Sequence, residues 1–233
     1  MRGGLSVVVL AIACGTATKD TVRTDSAGAR EPAPEVSTPA RVRKGTVLLV
    51  GTSLTAGYGL DNPDDAYPSV LQRMADSAGY SIAIQNAGLS GETSAGALRR
   101  IDWLLRDDYT AVVIETGAND GLRGLDVDST RGNLRAIVRR VKSELPNARV
   151  ALVQMEAPPN LGARYTTAFR ESFGQVAREE GITLFPFLLD GVGGVAGLNQ
   201  RDGIHPNAEG AQRVARNLWP ALEALLEGTA AGR

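Results

Sequence analysis

The chain has 233 residues, 25 of them basic and 26 acidic, so its formal net charge is −1. No stripe of lysine and arginine indicates a nucleic-acid surface, and no long apolar run predicts a membrane-spanning helix. One histidine and one cysteine supply too few ligands for an ordinary zinc site, so we expect no bound metal.

The first 14 residues have the features of an export signal. Arg2 is followed by a short apolar run at 5–13 and then by Cys14, the only cysteine. A cysteine at this point resembles a bacterial lipoprotein cleavage site, although Ala11 stands where that pattern prefers Leu, Val or Ile. We therefore expect a leader over residues 1–14, lipidation of Cys14, and an exported protein that is periplasmic or membrane-anchored. Simple secretion is the alternative.

Residues 15–44 are rich in Thr, Ala, Pro, Ser and charged residues and almost lack large apolar side chains. Such a stretch buries too little surface to offset the entropy of ordering it, which predicts a disordered tether. The folded domain is expected at residues 45–228, with a short tail at 229–233.

From residue 45 onward, strand-like and helix-like segments alternate. Strands are predicted at 46–50, 81–85, 110–115, 149–154 and 182–185. Helices are predicted at 66–78, 94–106, 128–145, 164–180 and from Pro206 to about Leu226. This alternation predicts an α/β fold with a mostly parallel sheet and helices on both faces. In such sheets, sites lie at the carboxyl ends of the strands, near the switch point of strand order.

Ser53 lies in the segment GTSLTAGYGL, directly after the first predicted strand. Gly51 would permit a sharp turn off the strand, which projects Ser53 at the mouth of the sheet near a short helix. A serine there is a nucleophile if a base reaches it. Two other interpretations stay open, namely an ordinary turn serine and a loop that cradles a phosphate. No GxxxxGK[ST] or GxGxxG pattern supports nucleotide binding.

Two further loops carry groups that can donate hydrogen bonds to a ligand. Gly91, in NAGLSGETS after the second strand, can bring its N–H close to a ligand because no side chain obstructs the approach. Asn119, in TGAND after the third strand, carries an amide that can donate to a developing negative charge. The alternatives are a loop glycine before a helix capped near Thr93 or Ser94, and an Asx-turn asparagine.

His205 is the only histidine, and it lies in the segment DGIHP with Asp202 three positions before it. Imidazole is the usual proton carrier at neutral pH, and a carboxylate can hold one of its nitrogens. The alternative is that Asp202 and His205 cap a helix that Pro206 opens. Together the four loops supply a nucleophile, donors, a base and an orienting carboxylate, which acyl transfer requires.

The ordered clusters GTSL, SGET, GAND and DGIHP resemble the four motif blocks of the SGNH, or GDSL-type, esterase and lipase hydrolases. The wording of NAGLSGETS, GANDGLRG and DGIHPNAEG is most similar to the bacterial acyl-thioesterase, arylesterase and lysophospholipase group. The resemblance covers roughly residues 45–226. It implies a flavodoxin-like three-layer α/β/α fold with a five-stranded parallel sheet in the order 2-1-3-4-5.

The resemblance also implies roles, carried over position by position. Ser53 would be the nucleophile, His205 the base and Asp202 the residue that orients the histidine. The N–H groups of Ser53 and Gly91 and the side chain of Asn119 would form the oxyanion hole. The implied reaction is hydrolysis of carboxylic or thio esters through an acyl-enzyme. We expect a monomer that needs no cofactor and acts on a small acyl ester or thioester.

Two questions stay open from the sequence. Thr52 replaces the aspartate usual in the first block. Its hydroxyl can still bond local backbone, so we expect some change in loop support and little loss of chemistry. The alternative functions are a carbohydrate O-deacetylase of the same fold, with a shallow polar cleft, and a non-catalytic ligand- or flavin-binding lipoprotein. The segments 155–161 and 188–198 are expected to border an acyl pocket.

Overall fold

The computed structural model describes residues 44–229. The predicted leader with Cys14, nearly all of the predicted tether and residues 230–233 of the predicted tail lie outside the described residues. The first strand begins at Lys44, so it includes the last residue assigned to the tether.

The centre of the fold is a parallel sheet with the strand order β2-β1-β3-β4-β5. Its strands are β1 Lys44–Gly51, β2 Ser81–Gly88, β3 Ala111–Ile114, β4 Arg149–Val153 and β5 Thr183–Phe185. The central strands are nearly continuous runs of Val, Ile, Leu and Ala because both of their faces are covered. The predicted fold class and strand order are confirmed.

Two layers of helices cover the sheet. The helices are α1 Ser53–Ala56, α2 Tyr67–Ser77, α3 Ser94–Leu104, α4 Ala118–Leu122, α5 Val127–Glu144, α6 Ala163–Glu180 and α7 Ala208–Glu227. On one face α3 packs on α5 and α5 packs on α6, whereas α2 and α7 pack together on the other face. No helix within the described residues combines the length and the apolar character needed to cross a membrane.

The core lies where the central strands meet these helices. Leu48 and Leu152 of the sheet are fully buried, as are Phe169 and Phe173 of α6. The two phenylalanine rings meet edge to face with their centroids 5.3 Å apart. Full burial of each such side chain stabilises the fold by about 1.5–3 kcal/mol, so the sheet is a rigid base for the loops at its edge.

The last helix begins two residues later than predicted, at Ala208. Asn207 is its N-cap residue, and Asn207 Oδ1 accepts a hydrogen bond from Gly210 N at 2.9 Å. Pro206 instead forms an isolated antiparallel bridge with Asn199. The prediction that Pro206 opens the helix was therefore wrong, because the short asparagine side chain satisfies the first free N–H groups. The DGIHP segment therefore does not cap this helix, and the side chains of Asp202 and His205 are available for another role.

Candidate active site

Ser53 and His205 meet at the carboxyl edge of the sheet. Ser53 is the first residue of α1, just after β1, and His205 lies in the loop before α7. Their side chains are in contact across 152 positions of sequence, with His205 Nε2 2.9 Å from Ser53 Oγ. This is hydrogen-bonding distance for a nucleophile and its base.

Asp202 holds the opposite side of the His205 ring. Its Oδ2 lies 2.6 Å from His205 Nδ1, and its Oδ1 accepts the backbone N–H of His205 at 3.0 Å and of Ile204 at 2.9 Å. These hydrogen bonds, first that with the His205 ring, lower the pKa of Asp202 to about 2. The ionised carboxylate can only accept, so Nδ1 carries the proton and Nε2 of the neutral ring is left to accept from Ser53 Oγ–H.

Two residues outside the predicted set hold the serine and histidine loops together. The Tyr58 ring packs on the His205 ring, with centroids 4.8 Å apart and planes tilted by 47°. Gln200 Nε2 donates to the backbone oxygens of Tyr58 at 2.7 Å and of Pro206 at 3.0 Å. Nothing in the spacing of the motifs singles out Gln200, because it acts through backbone atoms 142 positions away.

Ser53, Gly91 and Asn119 line the same cleft, and each carries an N–H group that is not fully used within the protein. In the described part of the chain, the backbone N–H groups of Ser53 and Gly91 form no hydrogen bond. Asn119 Nδ2 donates one of its two hydrogens to the backbone oxygen of Glu92 at 3.0 Å, which leaves the second available. Such a set of donors can stabilise an oxyanion.

Gly91 is required by backbone conformation rather than by space. Its φ is +77°, and a Cβ built there would meet nothing within 4 Å. The sequence predicts that a glycine here permits close approach of a ligand. The structure adds the left-handed backbone as a reason, since L-residues with side chains rarely adopt it.

A partly buried ion pair ties the Gly91 loop to the segment around Ser53. Arg100 Nε and Nη2 bind the Glu92 carboxylate, with the shortest contact at 2.6 Å. Arg100 Nη2 also donates to the backbone oxygens of Gly51 at 3.3 Å and Ala87 at 2.9 Å. One guanidinium thus joins the carboxyl ends of β1 and β2 to the loop that carries Gly91.

Asp120 links α4, the short helix that also carries Asn119, to the start of α3. Its carboxylate accepts Ser94 N at 2.8 Å and Ser94 Oγ at 2.5 Å, and it also accepts Thr130 Oγ1 at 3.3 Å. Thr93 is the N-cap of α3, as one sequence alternative proposed, and its side chain accepts from Gly96 N at 3.3 Å. Capping at Thr93 and a ligand-facing Gly91 are therefore compatible.

The cleft above Ser53 has a volume of about 600 Å³. Polar groups at one side include Ser53, Gly91, Asn119, Asp202 and His205. The other walls are largely apolar and are formed by Leu122, Met155, Ala157, Pro158, Phe187 and Ile204. Both segments predicted to border a pocket, 155–161 and 188–198, contribute lining residues. Within residues 44–229, no cluster of three or more His, Cys, Asp or Glu side chains has a metal-binding arrangement.

Comparison with known proteins identifies the arrangement. Residues 49–213 match the family model described as GDSL-like Lipase/Acylhydrolase. The chain belongs to this GDSL family. It is an ester-hydrolysing serine hydrolase, as the resemblance implied.

Individual relatives support the assignment over most of the domain. The chain is 43% identical over 182 residues to the esterase TesA of Pseudomonas aeruginosa, covering 78% of this chain and 89% of that protein. It is 35% identical to thioesterase 1/protease 1/lysophospholipase L1 of Escherichia coli K12, covering 78% and 85%. It also matches the crystal structure of the esterase EstA from Pseudoalteromonas sp., inhibited by monoethylphosphonate, with a TM-score of 0.73 and 37% identity over 77% of this chain and 97% of that one.

The departure from the GDSL wording at Thr52 has a structural counterpart. From the sequence, the Thr52 hydroxyl was expected to bond local backbone. It instead donates to the Glu115 carboxylate, whose two oxygens lie 3.0 and 3.1 Å away. At Gly51, where the chain turns from β1 into α1, φ is not positive, so the backbone conformation itself does not require glycine. A Cβ there would lie 1.9 Å from Thr55 Oγ1 and 2.8 Å from Glu115 Oε2, so close packing requires the glycine.

Proposed function

We propose that Ser53 is the nucleophile, with His205 as the base and Asp202 as its orienting carboxylate. The observation that carries the proposal is the continuous chain from Asp202 Oδ2 through the His205 ring to Ser53 Oγ, at 2.6 and 2.9 Å. The Ser53 proton passes to Nε2 as Oγ bonds to the acyl carbon. That proton then goes to the leaving oxygen or sulfur as its bond to carbon breaks. Water then attacks the acyl-enzyme with His205 again as the base, which releases the acid and restores Ser53.

The oxyanion hole consists of the Ser53 N–H, the Gly91 N–H and the Asn119 amide. The proposal is supported by the free hydrogens of these three groups and by their common cleft. The negative charge on the acyl oxygen exists only after attack, so donors fixed in advance stabilise the transition state more than the substrate.

The substrate is an ester or thioester with an apolar acyl chain. The largely apolar walls of the cleft support an acyl group over a sugar, for which a shallow polar cleft would be expected. The names of the relatives, which include an esterase and a thioesterase, are consistent with both leaving groups. We infer that the chain acts as a monomer on such small molecules without a cofactor.

An acyl-length series tests the substrate class. Aryl esters and acyl-coenzyme A thioesters with acyl chains from two to sixteen carbons should give kcat/KM values that rise with chain length until the apolar wall is filled. Ser53→Ala supplies the background rate. A maximum at acetyl, with activity on acetylated sugars, would instead assign the enzyme to the O-deacetylases.

We also propose that the protein is exported and held at a membrane by lipid on Cys14. The support is the sequence pattern alone, namely the short apolar run before the single cysteine. Cell fractionation tests this, since Cys14→Ser should release the enzyme from the membrane fraction or leave it unprocessed. Wild-type protein found free, with its mature end elsewhere, would mean simple secretion.

A further inference from the structure

A buried polar cluster lies against residues 52–55, at the start of α1, which we call the nucleophile loop. We call the polar cluster the Glu115 cluster, and it consists of Glu115, Thr52, Thr55 and Tyr67. All four are almost completely buried, with relative exposures of 1%, 0%, 0% and 3%. Glu115 immediately follows β3, whereas Thr52 and Thr55 flank Ser53 in sequence. A carboxylate this deep is costly unless its surroundings satisfy it.

The Glu115 carboxylate is satisfied entirely from the nucleophile loop. Its Oε2 accepts Thr52 N at 2.8 Å and Thr55 Oγ1 at 2.7 Å, and its two oxygens share the Thr52 hydroxyl. Tyr67 Oη lies 2.6 Å from Thr55 Oγ1 and completes the chain of hydroxyls. Because Thr55 donates its hydrogen to Glu115, Tyr67 is the donor to Thr55.

No basic side chain in the described part of the chain pairs with Glu115. Burial therefore dominates and raises its pKa to about 7, although the hydrogen bonds from Thr52 and Thr55 oppose the rise. The facing titratable group is Tyr67, whose pKa burial also raises. In its ionised form, a carboxylate in a dry site makes stronger hydrogen bonds than one in water, so above its pKa Glu115 restrains the loop firmly.

We propose that Glu115 is a positioning residue for Ser53. Its carboxylate fixes the peptide N–H and hydroxyl of Thr52 on one side of Ser53 and the hydroxyl of Thr55 on the other. Ser53 Oγ is thereby held toward His205 Nε2, and Ser53 N–H is held toward the cleft. The inference rests on the proposed role of Ser53 and extends it to a side chain that touches no reacting atom.

Thr52 fits this role better than the aspartate usual at its position. An aspartate would place a second carboxylate against Glu115, and one of the two would have to keep a proton. The threonine hydroxyl donates without that requirement. This chain therefore has a donor at 52 matched to a single buried acceptor at 115.

Glu115→Gln tests the inference, because it keeps the shape but leaves only one oxygen to accept. We expect kcat for a 4-nitrophenyl ester to fall about 10- to 100-fold, since small misplacements of a nucleophile cost this much, with KM changed less than about twofold. The rate of fluorophosphonate labelling should fall by the same factor as kcat. Thr52→Val should show part of this fall in kcat. Thr52→Ser, which keeps the hydroxyl, should retain most of the wild-type kcat.

Glu180→Gln is the matched control. Glu180 is also nearly buried, with 8% of its side chain exposed, but it pairs with Arg139 at the amino edge of the sheet, opposite the cleft. The Glu180→Gln variant should have a lower unfolding temperature and an unchanged kcat. If Glu115→Gln lowers the unfolding temperature as much as Glu180→Gln does but keeps the wild-type kcat, the proposal is overturned. If Glu115→Gln does not fold, equal kcat in Thr52→Val and Thr52→Ser would overturn it. Failure of wild-type enzyme to label at Ser53 would instead reject the proposed nucleophile.

Discussion

At the scale of single residues, polar groups around the cleft have separate tasks that follow from what each can donate or accept. Asp202 is 39% exposed at its side chain yet remains a firm acceptor, because three N–H groups converge on it. Asn119 uses one amide hydrogen to fix itself on the backbone oxygen of Glu92, which leaves the other free for the proposed oxyanion hole. Fixing by one hydrogen bond makes the second donor preorganised.

Asn119→Ala should lower kcat by about 10²–10³ and change KM far less, because the amide donates to charge that develops only in the transition state. Steady-state kinetics with one aryl ester measure both constants. A rise in KM at constant kcat would assign Asn119 to substrate binding instead of the oxyanion hole.

At the scale of elements, the site depends on contacts between loops that follow different strands. Arg100, on α3, joins the carboxyl ends of β1 and β2 to Glu92 in the loop that follows β2. Its side chain is 21% exposed and that of Glu92 only 5%. Loss of the cation would leave a buried carboxylate without its partner.

Arg100→Gln should destabilise the fold by about 3 kcal/mol, the lower end for a broken buried ion pair, and it should lower kcat by shifting Gly91. Chemical denaturation and kinetics measure the two effects. Arg140→Gln is the control, since the Arg140–Asp102 pair is about half exposed and screened by solvent, and its loss should destabilise the fold much less. Similar losses in both variants would contradict a special role for Arg100.

Sequence reasoning succeeded where local pattern and chemistry coincide. The apolar runs predicted all five strands, and Ser53, Asp202 and His205 are brought together as expected. It missed the Glu115 cluster, although a glutamate that ends the buried run TAVVIE required partners. It could not identify those partners, because Thr52 and Thr55 lie more than 50 positions away and meet Glu115 only through the β1–β3 pairing.

At the scale of the whole molecule, Glu115 links stability to pH. Its pKa in the fold is raised from 4.5 to about 7, so folding favours its protonated form. This contribution to stability is present in full below about pH 4.5 and is lost as the pH rises through 7. Asp202 acts in the opposite direction, because its lowered pKa gives stability that is lost only as the pH falls from about 3.8 toward 2.

The free energy of unfolding, measured in urea from pH 4.5 to 8, should therefore fall more steeply for wild-type protein than for Glu115→Gln. The two curves should diverge mainly between pH 5 and 7.5, where only Glu115 of these two carboxyls changes its charge. Parallel curves across this range would mean that the Glu115 carboxyl does not titrate there.

The central claim is that Ser53 attacks the substrate with His205 as its base. Its most direct test is peptide mass spectrometry after reaction with a fluorophosphonate, a reagent that captures an activated serine. We expect one adduct, on the peptide that contains Ser53, with labelling lost in Ser53→Ala and strongly slowed in His205→Gln. An adduct on another serine, or undiminished labelling and ester hydrolysis in Ser53→Ala, would contradict the account.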